Sequence, residues 1–470
     1  MVGANSKFLT LDSTSMSAYL CREWQQLCAQ YLPFLLEDSI WRQSRARLLE
    51  DPSQGWKLHV SATILTANQV LERVGPFLQQ HNVLFKGPVS LEELSKINSG
   101  LFYGYTQVGK FLTIYPETTE RALFLAERLH ELTLGLAAPA VPFDVRFRRG
   151  SSVYYRYGAF HHQEIENEDG TSTLAVRTPE GELVPDLRAS ARAMPDWVSA
   201  DPFAELASHR EEQAASQLKT NYRVFRALTQ RGKGGVYQAI DLSVQPLRLC
   251  ILKEGRRHGE PDWEGRDGYW RVKNEKETLG TLRALGMDVP RVYSSFEANG
   301  NYYLVTEFIE GASLQSLLNR RRRRLPLSRA LEYARQLASL LAKLHESGWA
   351  WRDCKPANLI VTGDGRLRPL DFEGACPVDQ PNPLPWGSRV FLLNEASEEA
   401  MGQSRAREDL YALGVTIYYL LTGSFPDEAS PTPIHKLRRN VPEEVRRIVS
   451  DLLSRNPEQR PEAHSVAESL

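Results

Sequence analysis

Apolar residues recur at helical spacing through Tyr19, Leu20, Trp24, Leu27, Leu32, Leu35, Leu36 and Trp41, which predicts helix over residues 15–50 with a break at Pro33. The period then changes. In G-W-K-L-H-V-S-A-T, residues 55–63, Trp56, Leu58 and Val60 alternate with Lys57, His59 and Ser61, predicting a strand with one buried and one polar face. Lys57 and His59 then point the same way, about 6–7 Å apart along the strand. Spacing alone does not separate that pair from an ordinary solvated strand face. Helical spacing over 66–80 leads to a second strand, N-V-L-F-K, ending at Lys86, and a glycine-rich turn carries Lys110 into a third. A helix over 117–135 precedes V-R-F-R-R-G and the strand S-S-V-Y-Y-R-Y-G-A-F, where Arg156 stands among aromatics. Several cations thus fall at strand starts or ends, where an anionic group is readily gathered.

Residues 165–215 read as a connection, with an E-D-G turn, Pro179, Pro185, Pro195 and Pro202, and an acidic, alanine-rich helical piece, E-L-A-S-H-R-E-E-Q-A-A. The order then becomes strand-rich and afterwards helix-rich. Y-R-V-F-R-A-L-T-Q-R-G-K-G-G-V-Y-Q-A-I-D reads strand, turn, strand, with Gly232, Gly234 and Gly235 in the turn. Glycines there let backbone N–H groups approach a phosphate, although a plain hairpin uses them equally well. The next strand ends at Lys253, the following helix offers Glu275, and N-Y-Y-L-V-T-E-F brings Glu307 to the end of a further strand. Arg320 to Arg324 form a basic run, a solvated cluster or a dock for an acidic peptide. Residues 328–347 form an amphipathic helix closed by Gly348. The expected organisation is α+β: one domain over 1–165, a linker over 166–215, and a second domain over 216–470 with lobes at about 216–310 and 311–470.

The densest chemistry lies between Trp349 and Gly374, in W-A-W-R-D-C-K-P-A-N-L-I-V-T-G-D-G-R-L-R-P-L-D-F-E-G. Asp353, Asn358 and Asp371 supply what phosphoryl transfer to a hydroxyl requires. One carboxylate orients the hydroxyl, while an amide and a second carboxylate hold Mg²⁺ against the phosphates. The segment is similar to the H-R-D-x-x-x-x-N and D-F-G motifs of protein kinases, with Trp351 in the histidine position and Glu373 replacing the glycine. Beyond it come a proline-rich segment, P-V-D-Q-P-N-P-L-P-W-G-S-R-V-F, expected to be exposed, and an apolar helix opened by Asp409.

Composition narrows the classes. A chain of 470 residues, 42% apolar and 24% charged, fits two or three globular domains. A net charge of −1 gives no field favouring nucleic acid or anionic membrane. The five cysteines form no C-x-x-C pair, which speaks against a disulfide framework or structural zinc and fits a reducing cytoplasm. The apolar run Leu410 to Leu421 is shorter than the roughly 20 residues of a membrane span.

Residues 220–470 resemble the protein-kinase family, and I-L-K-E-G-R, W-E-G-R-D-G, L-D-F-E-G-A and D-L-Y-A-L-G resemble the kinase domain of class III lanthipeptide synthetases. G-W-K-L-H-V-S-A-T, Y-G-x-x-x-x-G-K-F-x-T-I-Y-P and S-S-V-Y-Y-R-Y-G-A-F resemble the phosphoserine/phosphothreonine lyase domain of the same enzymes. The resemblance implies ATP or another nucleoside triphosphate, Mg²⁺, and a precursor peptide with a leader segment. It implies a kinase that phosphorylates Ser or Thr and a lyase that removes the phosphate to leave dehydroalanine or dehydrobutyrine. Asp353 would orient the hydroxyl, Lys355 neutralise the transferred group, Asn358 and Asp371 bind Mg²⁺, and Lys253, held by Glu275, grip the phosphates. Gly232, Gly234 and Gly235 would cover those phosphates, and Glu307 stands at the adenine-contacting position. In the lyase, Lys57 is the expected base and His59 the acid, with Lys86, Lys110 and Arg156 holding phosphate. An ammonium is no base, so Lys57 has to be desolvated or set beside other cations. Glu373 is expected to restrain Asp371 from flipping outward, Asp409 to support the catalytic loop and Arg460 to brace the fold. Such synthetases continue into a zinc-dependent cyclase and the sequence given stops with the kinase, which leaves thioether ring formation by this polypeptide alone open and makes a separate cyclase one candidate partner. Two other readings fit the motifs: a regulatory kinase with a non-catalytic N-terminal domain, and a pseudokinase scaffold.

Overall fold

The computed structural model describes residues 13–470 except 38, 162, 168–169, 187–193, 199, 205–216, 321–323, 388, 392–404 and 428–429. Helix α1 (Ser13–Tyr31) ends well before the helical spacing does. Pro33 disfavours helix at the residue before it, and the chain turns into two short paired strands, β1 (Phe34–Leu35) and β2 (Trp41–Gln43). The expected helix through residue 50 is therefore half helix, half sheet edge. Next come β3 (Gln54–Val60), α2 (Ala67–Gln80), β4 (Leu84–Pro88), α3 (Leu91–Ser99), β5 (Leu112–Tyr115), α4 (Thr119–Thr133), β6 (Val145–Arg146) and β7 (Val153–Ala159). The strands form one antiparallel sheet in the order β1-β2-β4-β5-β3-β7-β6.

Register separates the two faces of this sheet. Phe85, Ile114, Leu58 and Tyr155 are paired in sequence across β4, β5, β3 and β7, and all are buried in a core with Trp24 of α1, Leu71 of α2 and Leu125 of α4. One residue along each strand, the row reads Lys86, Thr113, His59 and Tyr154, with Arg156 opposite Lys57 beside it. This is the face predicted to be polar, but it is not solvated: Lys57 and His59 are 9% and 4% exposed. An apolar layer on one side and covered polar residues on the other make β3 buried from Trp56 to Val60, which alternation alone does not reveal.

The stretch read as a connection holds a small antiparallel sheet of β8 (Glu164–Glu166), β9 (Ser172–Arg177) and β10 (Leu183–Pro185). The alanine-rich helical piece lies outside the described residues. Helix α5 (Gln217–Asn221) leads to β11 (Tyr222–Arg231), β12 (Gly234–Asp241), β13 (Arg248–Gly255), α6 (Gly268–Ala284), β14 (Val292–Ala298) and β15 (Asn301–Glu307). These five strands form a sheet in the order β11-β12-β13-β15-β14.

The rest is mainly helical: β16 (Ala312–Ser313), α7 (Leu314–Arg320), α8 (Leu327–Glu346), β17 (Trp349–Ala350), β18 (Leu359–Val361), β19 (Leu367–Pro369), β20 (Cys376–Pro377), α9 (Ala406–Thr422), α10 (Ile434–Leu437), α11 (Glu443–Leu452) and α12 (Ala463–Ser469). Leu337, Leu341 and Leu344 line the buried face of α8, and Gly348 follows its end at φ 77°, where a side chain would be strained. Helix α9 is buried on all sides from Asp409 to Thr422. Among the described residues no helix is long and apolar enough to cross a membrane. By internal contacts the chain divides into one unit of Met1–Tyr237, Glu254–Trp270 and Glu297–Tyr302, and a second of Gln238–Lys253, Arg271–Phe296 and Tyr303–Leu470.

Packing in the first unit makes a sign-reversing prediction. Gly→Ala inside a helix ordinarily gains about 1 kcal/mol. A Cβ at Gly75 in α2 would sit 2.7 Å from the buried Tyr31 ring, so Gly75→Ala is expected to destabilise by about 1–3 kcal/mol. A lowered urea midpoint would show it; a raised one would mean the Tyr31 ring yields freely.

Candidate functional site

In the second unit, β13 delivers Lys253 and α6 delivers Glu275, with Lys253 Nζ 2.6 Å from Glu275 Oε1 and 3.3 Å from Asp371 Oδ1. Burial opposes the ammonium, yet Asp371 and Glu275 hold its pKa well above the usual lysine range. Glu275 also accepts the Phe372 N–H at 3.1 Å, so one buried carboxylate fixes both the lysine and the segment carrying Asp371. Asp371 has φ 60°, in the left-handed region that costs a non-glycine residue about 1–3 kcal/mol. Trp351 helps hold that geometry: its Nε1–H donates to the Asp371 carbonyl at 2.8 Å, and its ring stacks on Phe372 at 5.5 Å. Asp371 faces Lys253 and is not turned away. Glu373 is buried with its carboxylate 3.9 Å from Arg271 Nη1, which ties the glycine-replacing residue to the start of α6.

The catalytic-loop groups converge as well. Lys355 Nζ lies 2.8 Å from Asp353 Oδ1, and Asn358 Nδ2 donates to Asp353 Oδ2 at 2.6 Å. Burial pushes the Asp353 pKa up, against the pull of Lys355. With its amide N–H committed to Asp353, Asn358 presents its oxygen, and Asp371 keeps a third of its side chain exposed. An all-oxygen donor set of this kind suits Mg²⁺. Behind the loop, Asp409 at 0% exposure accepts the backbone N–H groups of Trp351 at 2.7 Å and Arg352 at 2.6 Å. Arg352, at φ 64°, directs Nε to Glu408 at 2.8 Å and Nη1 to the Leu384 carbonyl at 2.8 Å. Arg460 donates to the Arg407 carbonyl at 2.8 Å and lies over the Tyr411 ring. The Glu307 carboxylate is engaged by Arg368 at 2.7 Å, and its N–H donates to the Arg291 carbonyl at 2.8 Å.

The first unit contains the turn glycines and the cation-bearing sheet face. The Gly232 N–H donates to the Ser99 carbonyl at 2.9 Å, and a Cβ there would lie 1.6 Å from the Asn98 carbonyl oxygen. A Cβ at Gly234 would lie 1.7 Å from the Glu254 carbonyl oxygen, and one at Gly235 2.3 Å from the Tyr237 hydroxyl. Backbone carbonyls therefore already require glycine at Gly232 and Gly234, whereas the neighbour of Gly235 is the movable end of the Tyr237 side chain, and the Gly232 amide is committed to Ser99. On the sheet face, Lys57 and Arg156 are cross-strand partners, His59 lies two residues beyond Lys57, and Lys86 shares His59's row at two strand spacings, ~10 Å. Lys86 Nζ is 4.4 Å above the Trp41 ring. Lys110, just ahead of β5, is brought to the same face by Asp144, whose Oδ1 is 3.2 Å from its Nζ and whose Oδ2 is 2.5 Å from His59 Nδ1. Burial pushes the His59 pKa down to about 3, against the attraction of Asp144. Burial opposes ionisation of Asp144 itself, yet the charges of His59 and Lys110 hold its pKa well below the usual carboxylate range. Arg156 pairs with Asp186, and the Lys57 Cε, Asp186 Oδ2 and Arg156 Nη2 lie 3.1, 3.3 and 3.4 Å from one point beside Gly158.

Comparison with known proteins decides the family of the second half. The family described as "Protein kinase domain" matches residues 232–470. The chain belongs to the protein kinase family. Ahead of the kinase match, residues 35–215 match the family described as "RamC, N-terminal domain". The chain is 32% identical over 359 residues to a probable SapB synthase from Streptomyces coelicolor, covering 73% of this chain and 38% of that protein. It is 28% identical to the serine/threonine-protein kinase PknE of Mycobacterium bovis, covering 51% of this chain and 43% of that protein. It is likewise 28% identical to the serine/threonine-protein kinase PknA of a Nostoc species, over 52% of this chain and 45% of that protein. The chain thus spans less than half the length of these three relatives.

Asp144, Asp186, Arg271 and Glu408 escape sequence reasoning. Asp144 stands 85 residues from His59 with no local pattern around it, so only the fold joins them. Trp351 makes the kinase centre testable. Trp351→Phe keeps the stacking but leaves the Asp371 carbonyl without its donor, so phosphoryl transfer should fall roughly threefold to tenfold, the worth of one buried hydrogen bond. Trp351→His, which restores an N–H, should lose less; equal rates for both variants would show that the bond does not matter.

Proposed function

We propose that the chain dehydrates Ser and Thr residues of a precursor peptide in two steps, as in lanthipeptide biosynthesis: phosphorylation by the kinase, then elimination of phosphate at the N-terminal sheet. The observation that carries this reading is the gathering of Lys57, His59, Lys86 and Arg156 on one covered sheet face, in a chain that also holds a complete phosphoryl-transfer set. The likeness to the probable SapB synthase and to the RamC N-terminal domain supports it.

In the first step Asp353 orients the peptide hydroxyl and accepts its proton, and Lys355 meets the charge of the group in transfer. Lys253, fixed by Glu275, grips the nucleotide phosphates, and the strand end at Glu307 faces the base. Asn358 and Asp371 would hold Mg²⁺, which supplies charge neutralisation on the phosphates of ATP. Gly232 and Gly234 act here through close packing of the turn that also carries Gly235.

In the second step Lys57 takes the Cα proton, the Cα–Cβ double bond forms, and the Cβ–O bond breaks with its electron pair leaving on the phosphate. His59 gives that oxygen a proton. Arg156 engages the Asp186 carboxylate, drawing toward itself a charge that would otherwise hold the proton on Lys57. Lys86, Lys110 and Arg156 receive the phosphate dianion.

Mass spectrometry of a Ser/Thr peptide incubated with the protein, ATP and Mg²⁺ tests both steps. Wild type should give loss of one water per modified residue. Asp353→Asn should leave the peptide unmodified, while Lys57→Ala or His59→Ala should accumulate phosphopeptide, with elimination slowed about 10²–10⁴-fold. Wild type that stops at phosphopeptide would instead support a regulatory kinase with a non-catalytic N-terminal domain.

A further inference from the structure

His59 is faced by charged and titratable groups from four directions: Lys57 on its own strand, Lys110 ahead of β5, Asp144 from the segment between α4 and β6, and Tyr154 and Arg156 on β7. Among the described residues, Asp144 is the carboxylate that touches the imidazole, and its side chain is 1% exposed. Burying a carboxylate costs several kcal/mol before its partners repay it, and here the partners are the His59 ring and the buried Lys110 ammonium. The backbone that presents Asp144 is strained: Phe143, immediately before it, has φ 64° while its ring stays partly exposed against Tyr105. Strain held without burial to stabilise it belongs to the position it enforces on a neighbour. Here the neighbour is a carboxylate 2.5 Å from a histidine ring nitrogen.

We infer that Asp144 is the positioning residue of the elimination step, accepting the His59 Nδ1–H and so turning Nε2 toward the phosphate-bearing oxygen. The inference rests on the elimination reading above. The carboxylate does two things. It fixes the tautomer, since a ring whose Nδ1–H is held can carry the transferable proton only on Nε2. It also supplies negative charge that favours the imidazolium; burial, Lys57 and Lys110 outweigh it in the free protein, and the charge of a bound phosphate dianion adds to that of Asp144. As the Cβ–O bond breaks, Nε2–H passes to the departing oxygen, leaving neutral imidazole with Nδ1–H still on Asp144. A proton from water then resets the acid.

The test uses the full chain and a synthetic phosphoserine peptide, which bypasses the kinase, with dehydroalanine and free phosphate measured across pH. Asp144→Asn should lower kcat about a hundredfold or more with little change in KM. Losing the charge lowers the pH at which the imidazole gives up its proton, so the falling, high-pH limb of the rate should move to lower pH. Asp144→Glu, which restores the charge, should bring that limb back toward wild type even where the rate recovers only in part. A merely structural role predicts a loss equal at every pH with the limb unmoved; that result, a kcat within twofold of wild type, or an Asp144→Glu limb that stays with Asp144→Asn, overturns the inference. Wild type that releases no phosphate from the phosphopeptide overturns the elimination reading and this inference together.

Discussion

The carboxylate of Asp409 holds the backbone of the catalytic loop from beneath, and the geometry of the kinase centre follows from it. Two consecutive N–H groups, those of Trp351 and Arg352, converge on its two oxygens. That convergence lets Arg352 keep a left-handed backbone, which in turn sends the chain into Asp353 at the angle where Lys355 and Asn358 can meet its carboxylate. Trp351 then carries the constraint onward to Asp371 through its indole N–H. A buried polar group with every partner in place is rigid, and a half-satisfied one is costly. The loop can therefore hold strained residues at Arg352 and Asp371 without relaxing them.

The N-terminal sheet answers the same constraint differently. The face that bears Lys57, His59 and Arg156 carries mostly cations, and cations cannot be buried alone. Asp144 and Asp186 arrive from segments outside the strands that bear Lys57, His59 and Arg156, so that each cluster is nearly balanced before any substrate is present. A phosphate dianion of the kind proposed above would meet pre-paired groups, and its binding would have to rearrange those pairs as well as fill a space.

The kinase centre was legible because its chemistry is local in sequence: Asp353, Lys355 and Asn358 sit within one loop, and Asp371 follows at a fixed distance. The pairing of Lys253 with Glu275 was legible only through the likeness to protein kinases, in which a strand lysine meets a glutamate of the next helix. What could not be read was the origin of balancing charge. Asp144 and Glu408 reach their partners through tertiary folding, and no period or spacing announces them. The same limit explains the polar face of β3, where alternation was correct but the burial of Lys57 and His59, with Asp144 against the latter, is set by the tertiary fold. At the N-terminus the error was local instead: apolar spacing continued past Pro33, and the proline outweighed it.

The turn containing Gly232 carries a practical consequence. Its amide is bonded to the carbonyl of Ser99, and the adjoining Asn98 side chain bridges the Ala62 carbonyl at 3.0 Å and the Gly109 N–H at 3.1 Å. Those last two flank the stretches that carry His59 and Lys110. A chain severed at the proline-rich stretch after residue 185 would leave the end of α3 with an unanswered carbonyl and bare the backbone of Asn98 to water. The N-terminal piece so released would be an incomplete object, missing a strand turn that sequence numbering assigns to its neighbour.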